Sequence, residues 1–117
     1  MQADQPCSTE STAADPLEIS FRPLTGDDEF EVTVRGPLDS STIGGLGECV
    51  DELIGRGCSC LIIDLDGVTF ADASSLGLLI RTRRRMGASR GVVRVRYRGS
   101  PSLVRLMQIT KLDRHFA

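Results

Sequence analysis

The chain has 117 residues, 40% of them hydrophobic and 26% charged, with a formal net charge of −2. This length is enough for one domain with a single core and excludes two domains. No stretch reaches the roughly 18 apolar residues of a membrane span, and the N-terminus lacks the basic start and the apolar run of a signal peptide. We therefore expect a cytoplasmic protein with no membrane partner.

The charges are distributed unevenly along the chain. Residues 1–72 carry 15 acidic and 3 basic side chains, whereas residues 73–117 carry 11 basic side chains and 1 acidic side chain. A basic segment is also found in nucleic-acid-binding domains, so a domain that binds nucleic acid through residues 81–98 is one alternative. The chain has four Phe, one Tyr and no Trp to stack on bases, and we expect no direct contact with nucleic acid.

Four cysteines, at positions 7, 49, 58 and 60, raise the question of a zinc site. Structural zinc needs four ligands at characteristic spacings, and the single histidine, His115, lies near the far end of the chain. We expect small reduced cysteines that fill core space, and neither a metal ion nor another cofactor.

In chain order, the predicted elements begin after a polar tail. Residues 1–16 are small, polar and acidic, and we expect them to be disordered. Residues 17–22 and 30–36 alternate apolar and polar side chains, as half-buried strands do, and the turn residues between them predict a hairpin. Apolar residues then recur at helical spacing, with Ser40 or Ser41 as the N-cap.

Strands and helices continue to alternate in the second half. Residues 60–70 are a nearly continuous apolar run, typical of a central strand buried on both faces. A helix is predicted from Ala73 to Met86, ended by Gly87. Residues 92–98 alternate again, a helix follows with Pro101 in its first turn, and residues 110–117 predict the start of a last strand. The order β-β-α-β-α-β-α indicates an α/β domain over residues 17–117, with a mixed sheet and helices packed on it.

Two adjacent serines, Ser74 and Ser75, open the helix that begins near residue 73. Serine hydrolysis needs a base and an oxyanion hole, but His115 is remote and no Gly-x-Ser-x-Gly turn is present. We therefore predict a protein that is not an enzyme. The simplest structural role is that Asp72 caps the helix and the serines satisfy free N–H groups of its first turn.

The spacing divides this helix into two sides. The side predicted to face the sheet carries Leu76, Leu79, Ile80 and Arg83, and the opposite side carries Ser74, Leu78, Arg81 and Arg85. An outward leucine beside a serine and two arginines is typical of a docking surface. A phosphate on Ser74 would add about two negative charges there, with Arg81 some ~10 Å away along the axis, and would expel a partner.

The span from Leu17 to Ala117 resembles the STAS domain of anti-sigma factor antagonists (anti-anti-sigma factors). The matching parts are the hairpin, RGPLDSST at 35–42, LIIDLDGVTFADASSLGLLI at 61–80 and SPSLVRLMQITKLDRHF at 100–116. The resemblance implies a sheet with helices mainly on one face and a partner that is an anti-sigma factor with serine kinase activity. In this family the kinase phosphorylates the start of this helix, which ends binding, and a phosphatase restores it.

The sequence departs from the family pattern at the phosphoacceptor. The family commonly has serine directly after the aspartate, where this chain has Ala73, and Ser75 replaces a glycine. The resemblance therefore implies Ser74, and after it Ser75, as acceptor. Asp72 and Asp39 are the implied capping or orienting acids, and the candidate partner contacts are Ala73, Leu78, Arg81 and Arg85. It also implies a last strand and another helix beyond the present C-terminal residues.

The sequence thus predicts a regulatory binding module, an anti-sigma factor antagonist switched by serine phosphorylation. The alternative is a constitutive STAS adapter in a larger assembly, such as a stress-signalling particle or a lipid-transport complex, without phosphoregulation because Ala73 occupies the usual acceptor position. A kinase recovered in a pull-down would favour the first, and a transporter ATPase or self-assembly would favour the second.

Overall fold

The computed structural model describes residues 5–6, 17–26 and 28–116. Its strands are β1 (Gln5–Pro6), β2 (Glu18–Pro23), β3 (Glu29–Leu38), β4 (Cys60–Ala71) and β5 (Val92–Arg96). Its helices are α1 (Ile43–Gly55), α2 (Ala73–Ala88), α3 (Pro101–Thr110) and α4 (Asp113–Phe116). From β2 to α3 the predicted order β-β-α-β-α-β-α is confirmed, and so is the α/β class.

In the described part of the chain the strands form one mixed sheet in the order β1-β2-β3-β4-β5. The first three strands are antiparallel and include the predicted hairpin of β2 and β3, whereas β3, β4 and β5 are parallel. β1 was not expected: Gln5 and Pro6 pair with Phe21 and Ser20 of β2. The other residues of the predicted tail lie outside the described residues.

One face of the sheet carries the core. Buried side chains of β2 to β5 and of α1, α2 and α3 form a single cluster on this face, as expected for helices packed mainly on one side. β4 is therefore not buried on both faces, and that prediction is wrong: Leu61 and Ile63 are buried, but Ile62 and Asp64 are partly exposed. The opposite face is polar and holds an open depression of about 520 Å³.

Two predicted helix ends differ from the structure. The N-cap of α1 is Thr42, not Ser40 or Ser41, and its side chain makes no capping hydrogen bond. α2 continues past Gly87 to Ala88. Glycine does not by itself end a helix, and here the chain leaves the helix two residues later, at Arg90 with a φ of 62°.

The last element is the short helix α4, so the predicted strand in residues 110–117 is wrong within the part that the structure describes. Lys111 adopts a left-handed conformation that ends α3, and the chain then turns back along the helical layer. Phe116 is buried there, with the guanidinium of Arg83 in α2 lying 6.0 Å from its ring centroid. Packing against α2 thus replaces pairing with the sheet.

The cysteines differ in state. Cys58 is buried and Cys60 half-buried, both as free thiols, and burial raises the pKa of the Cys58 thiol. Cys49, buried in α1, is disulfide-bonded, so the expectation of a reduced cysteine is wrong at this position. Among the described residues no three His, Cys, Asp or Glu side chains are grouped as a metal ion would need, and no described helix is long and apolar enough to span a membrane.

Candidate functional site

Two loops at the carboxyl ends of β3 and β4 form the candidate site. Leu38 and Ala71, the last residues of these strands, are register partners, so residues 39–42 and 72–75 lie side by side at one edge of the sheet. This edge, where parallel strands end and helices begin, is where α/β sheets place their binding sites. The backbone N–H of Ser40 in the first loop donates to Asp72 Oδ2 of the second at 3.3 Å.

Asp72 organises the second loop as the N-cap of α2. Its Oδ1 accepts hydrogen bonds from Ser74 N at 3.0 Å and from Ser74 Oγ at 2.5 Å. A side-chain acceptor at this position satisfies an N–H that the first helical turn leaves without a partner. The predicted capping role of Asp72 follows directly from these contacts.

Asp39 organises the first loop in the same way. Its Oδ1 accepts hydrogen bonds from Ser41 Oγ at 2.7 Å and from Ser41 N at 2.9 Å. These two bonds, the hydroxyl first, lower the pKa of the Asp39 carboxyl below its ordinary value because they stabilise the carboxylate. The site therefore carries a negative charge at Asp39 at neutral pH.

The serines of α2 occupy different environments. Ser74 is partly exposed beside Asp72, whereas Ser75 is fully buried. The Ser75 hydroxyl donates to the Asp72 carbonyl at 2.6 Å, which satisfies it inside the core. A kinase cannot reach Ser75 in this conformation, so Ser74 is the accessible one of the two predicted acceptors.

The predicted outward position of Leu78 is wrong. Its side chain is only 3% exposed, and it packs towards α1, where a Cβ added at Gly47 would lie 3.9 Å from Leu78 Cδ1. α2 contacts α1 as well as the sheet, so its buried side is rotated from the predicted one. The residues of that side are Ser75, Leu76, Leu78, Leu79, Thr82 and Met86.

The other predicted contacts are at the surface. Ala73 and Arg81 are exposed, and both remain available to a partner. Arg85 is also exposed, but its guanidinium forms an ion pair with Asp51 of α1. Arg85 therefore joins two helices of the same chain, and Arg83, predicted to face the sheet, is exposed and lies over Phe116.

Sequence reasoning missed Phe70 at the end of β4. This side chain is 52% exposed, it is the register partner of Pro37, and it lies two residues before Asp72. The apolar run 60–70 suggested burial, and strict alternation does not hold here, because the pairing of β4 with β3 shifts register after Asp64 and again after Val68, and Val68 is buried. The candidate site thus includes an exposed aromatic side chain beside the two aspartate loops.

The chain is similar in sequence to known proteins. A family model described as the STAS domain matches residues 23–117. The anti-sigma-B factor antagonist of Staphylococcus epidermidis is 30% identical over 66 residues, which are 56% of this chain and 61% of that protein. The chain thus matches less than two thirds of the length of this relative.

Solved structures also resemble the chain. The crystal structure of an anti-sigma factor antagonist from Mycobacterium paratuberculosis has a TM-score of 0.72 at 26% identity, covering 91% of this chain and 87% of that one. The Bacillus cell fate determinant SpoIIAA in its phosphorylated form has the same fold, with a TM-score of 0.61 at 20% identity over 89% of each chain.

The mixed sheet with helices on one face and aspartate loops at its edge defines an α/β domain of the STAS class. The chain belongs to the STAS domain family, because the family model covers most of its length.

Proposed function

We propose that this protein is a cytoplasmic anti-sigma factor antagonist, which binds an anti-sigma factor with serine kinase activity. The observation that carries the proposal is the edge where Phe70 lies exposed beside the Asp39 and Asp72 loops. The relatives from Staphylococcus and Mycobacterium, both described as antagonists of anti-sigma factors, support the same assignment.

The proposed contact surface consists of Phe70, Ala73 and Arg81. A half-exposed aromatic side chain next to charged loops is the kind of residue that supplies most of the binding energy in protein interfaces. Ala73 is small and exposed at the start of α2, so a partner can approach the helix closely there. Leu78 is not part of this surface, because it is buried under α1.

Phosphorylation of Ser74 is the proposed switch. The Ser74 hydroxyl is partly exposed, and its phosphate would replace the 2.5 Å hydrogen bond to Asp72 with repulsion between the two anions. The new charge would stand on the edge that binds the partner and so end the complex. A phosphatase would restore the hydroxyl and with it the binding. SpoIIAA, which shares the fold, exists in a phosphorylated form.

The test is binding of purified variants to kinase-type anti-sigma factors from the source organism, measured by calorimetry. Phe70→Ala should weaken binding by about 2 kcal/mol, or roughly 30-fold in Kd, as expected for a truncated aromatic anchor. Ile109→Ala is the matched control: Ile109 is 70% exposed but lies on α3, and its removal should leave Kd unchanged.

Two results would contradict the proposal. Equal losses in both variants would mean that Phe70 is not an anchor. Absence of binding to every such anti-sigma factor, together with stable capture of a transporter ATPase or self-assembly, would favour the adapter alternative.

The phosphorylation switch has its own test. Incubation with ATP and the bound kinase should phosphorylate the wild type on the tryptic peptide that contains Ser74, residues 57–81. In Ser74→Ala this peptide should carry no phosphate.

A further inference from the structure

Ser40, in the first aspartate loop, combines exposure with an unengaged hydroxyl. The other hydroxyls of the same kind in the two loops are occupied: Ser41 Oγ donates to Asp39, Ser74 Oγ to Asp72 and Ser75 Oγ to the Asp72 carbonyl. Ser40 Oγ makes no hydrogen bond to any of the described residues, and its side chain is exposed. Ser40 is therefore the serine of these two loops whose hydroxyl is exposed and is not held by any described residue.

Ser40 also belongs to the same surface as the start of α2. Its backbone N–H donates to Asp72 Oδ2 at 3.3 Å, so its position is tied to the carboxylate that caps α2. Ser40 directly follows Asp39, as Ala73 directly follows Asp72. Where the second loop has a methyl group, the first loop presents a hydroxyl.

We propose that Ser40 is a second phosphoacceptor of this surface, an inference that rests on the proposed function. A serine kinase supplies the γ-phosphoryl group of a bound nucleoside triphosphate. A bond forms between Ser40 Oγ and the γ-phosphorus, the bond from that phosphorus to the bridging oxygen breaks, and the nucleoside diphosphate leaves. The hydroxyl proton passes to a base of the kinase.

The consequence is electrostatic. A phosphate on Ser40 carries nearly two negative charges and would stand beside the carboxylates of Asp39 and Asp72. Hydrogen bonds from Ser41 keep the pKa of Asp39 low, so this neighbour is ionised at neutral pH. Repulsion would break the hydrogen bond between Ser40 N and Asp72 Oδ2. The loop that precedes α1 would then shift relative to the start of α2, and the surface offered to the partner would change.

The experiment uses the full chain with ATP and a lysate of the source organism, followed by tryptic digestion and mass spectrometry. Ser40 and Ser74 fall in different peptides, residues 36–56 and 57–81, because the chain has no Lys or Arg between Arg35 and Arg56 or between Arg56 and Arg81. We expect phosphate on peptide 36–56 that Ser40→Ala abolishes. Ser41→Ala, the adjacent control, should keep it.

The outcomes separate this inference from the proposed function. Phosphate confined to residues 57–81, phosphate on 36–56 that survives Ser40→Ala, or no phosphate at all would each overturn Ser40 as an acceptor. Binding of the unphosphorylated chain to the anti-sigma factor is measured separately and would stand in all three cases. Loss of that binding, with Ser40 still phosphorylated, would overturn the antagonist function and leave the modification site intact.

Discussion

At the scale of single residues, two hydrogen bonds from Ser41 stabilise the carboxylate of Asp39 in the first loop. The hydrogen bond from Ser41 Oγ is the largest cause of the lowered pKa, and the bond from Ser41 N is the second. A lowered folded-state pKa stabilises the fold above the ordinary value of 3.8, and this stabilisation is lost as pH falls towards the folded-state pKa. Asp39 therefore stabilises the fold at neutral pH, and this contribution is lost only below pH 3.8, where the carboxylate becomes protonated.

Ser41→Ala should raise the pKa of Asp39 part of the way back to its ordinary value, because the backbone N–H bond remains. The measurement is a carboxyl titration by NMR. Ser40→Ala serves as control, since the Ser40 hydroxyl does not contact Asp39, and it should leave the titration unchanged. An equal pKa in wild type and Ser41→Ala would show that the hydroxyl bond does not set the charge of this loop.

The orientation of α2 is the main feature at the scale of the elements. Leu78 is buried towards α1, while its neighbour Gly77 is exposed, and a Cβ added at Gly77 would meet nothing within 4 Å. Adjacent positions of one helix should therefore respond oppositely to alanine. Leu78→Ala should cost about 2–4 kcal/mol through lost contacts and a cavity, and Gly77→Ala should gain roughly 0.5–1 kcal/mol of helix stability.

Urea unfolding of the two variants measures both effects. If Leu78→Ala were neutral for stability but reduced partner binding, Leu78 would face outwards as the spacing first suggested, and the observed orientation of α2 would be wrong.

At the scale of the whole molecule, ion pairs join the acidic first part of the chain to the basic second part. Arg96 lies 3.3 Å from Glu31 and 4.0 Å from Asp64 across the polar sheet face, and Arg85 pairs with Asp51. Glu31, whose side chain is 7% exposed, also accepts from Arg22 at 2.7 Å. Part of the basic charge is thus used within the fold, which weakens the argument for nucleic-acid binding.

Glu31→Gln should destabilise the protein by about 1–3 kcal/mol, because two arginines lose a buried carboxylate that they share. The matched control is Glu52→Gln. Its exposed ion pair with Arg56 joins residues four apart at the C-terminal end of α1, and its loss should change stability by less than about 0.5 kcal/mol. The free energy of unfolding of both variants is measured by thermal or urea unfolding. Equal losses would mean that the buried ion pairs of Glu31 stabilise the fold no more than an exposed pair does.

Several elements were predictable because their signals are local. Alternation of valine and arginine defines β5, Ser100 and Pro101 define the start of α3, and Asp72 defines the start of α2. Each depends on backbone hydrogen bonding or side-chain direction within a few residues. The two loops could also be placed at one edge, since parallel strands bring their carboxyl ends together.

The amino-acid sequence by itself determined the α/β class, the order of the elements and the aspartate that begins α2, because periodicity and capping act over short distances. Only the tertiary structure decided which hydroxyls and apolar groups reach the surface. Leu78 is buried because α1 packs against that side of α2, Ser75 is buried at the start of the same helix, and Phe70 is exposed where irregular pairing of β3 with β4 interrupts the alternation of the strand. Burial depends on contacts between distant elements, and no local spacing encodes where those elements meet.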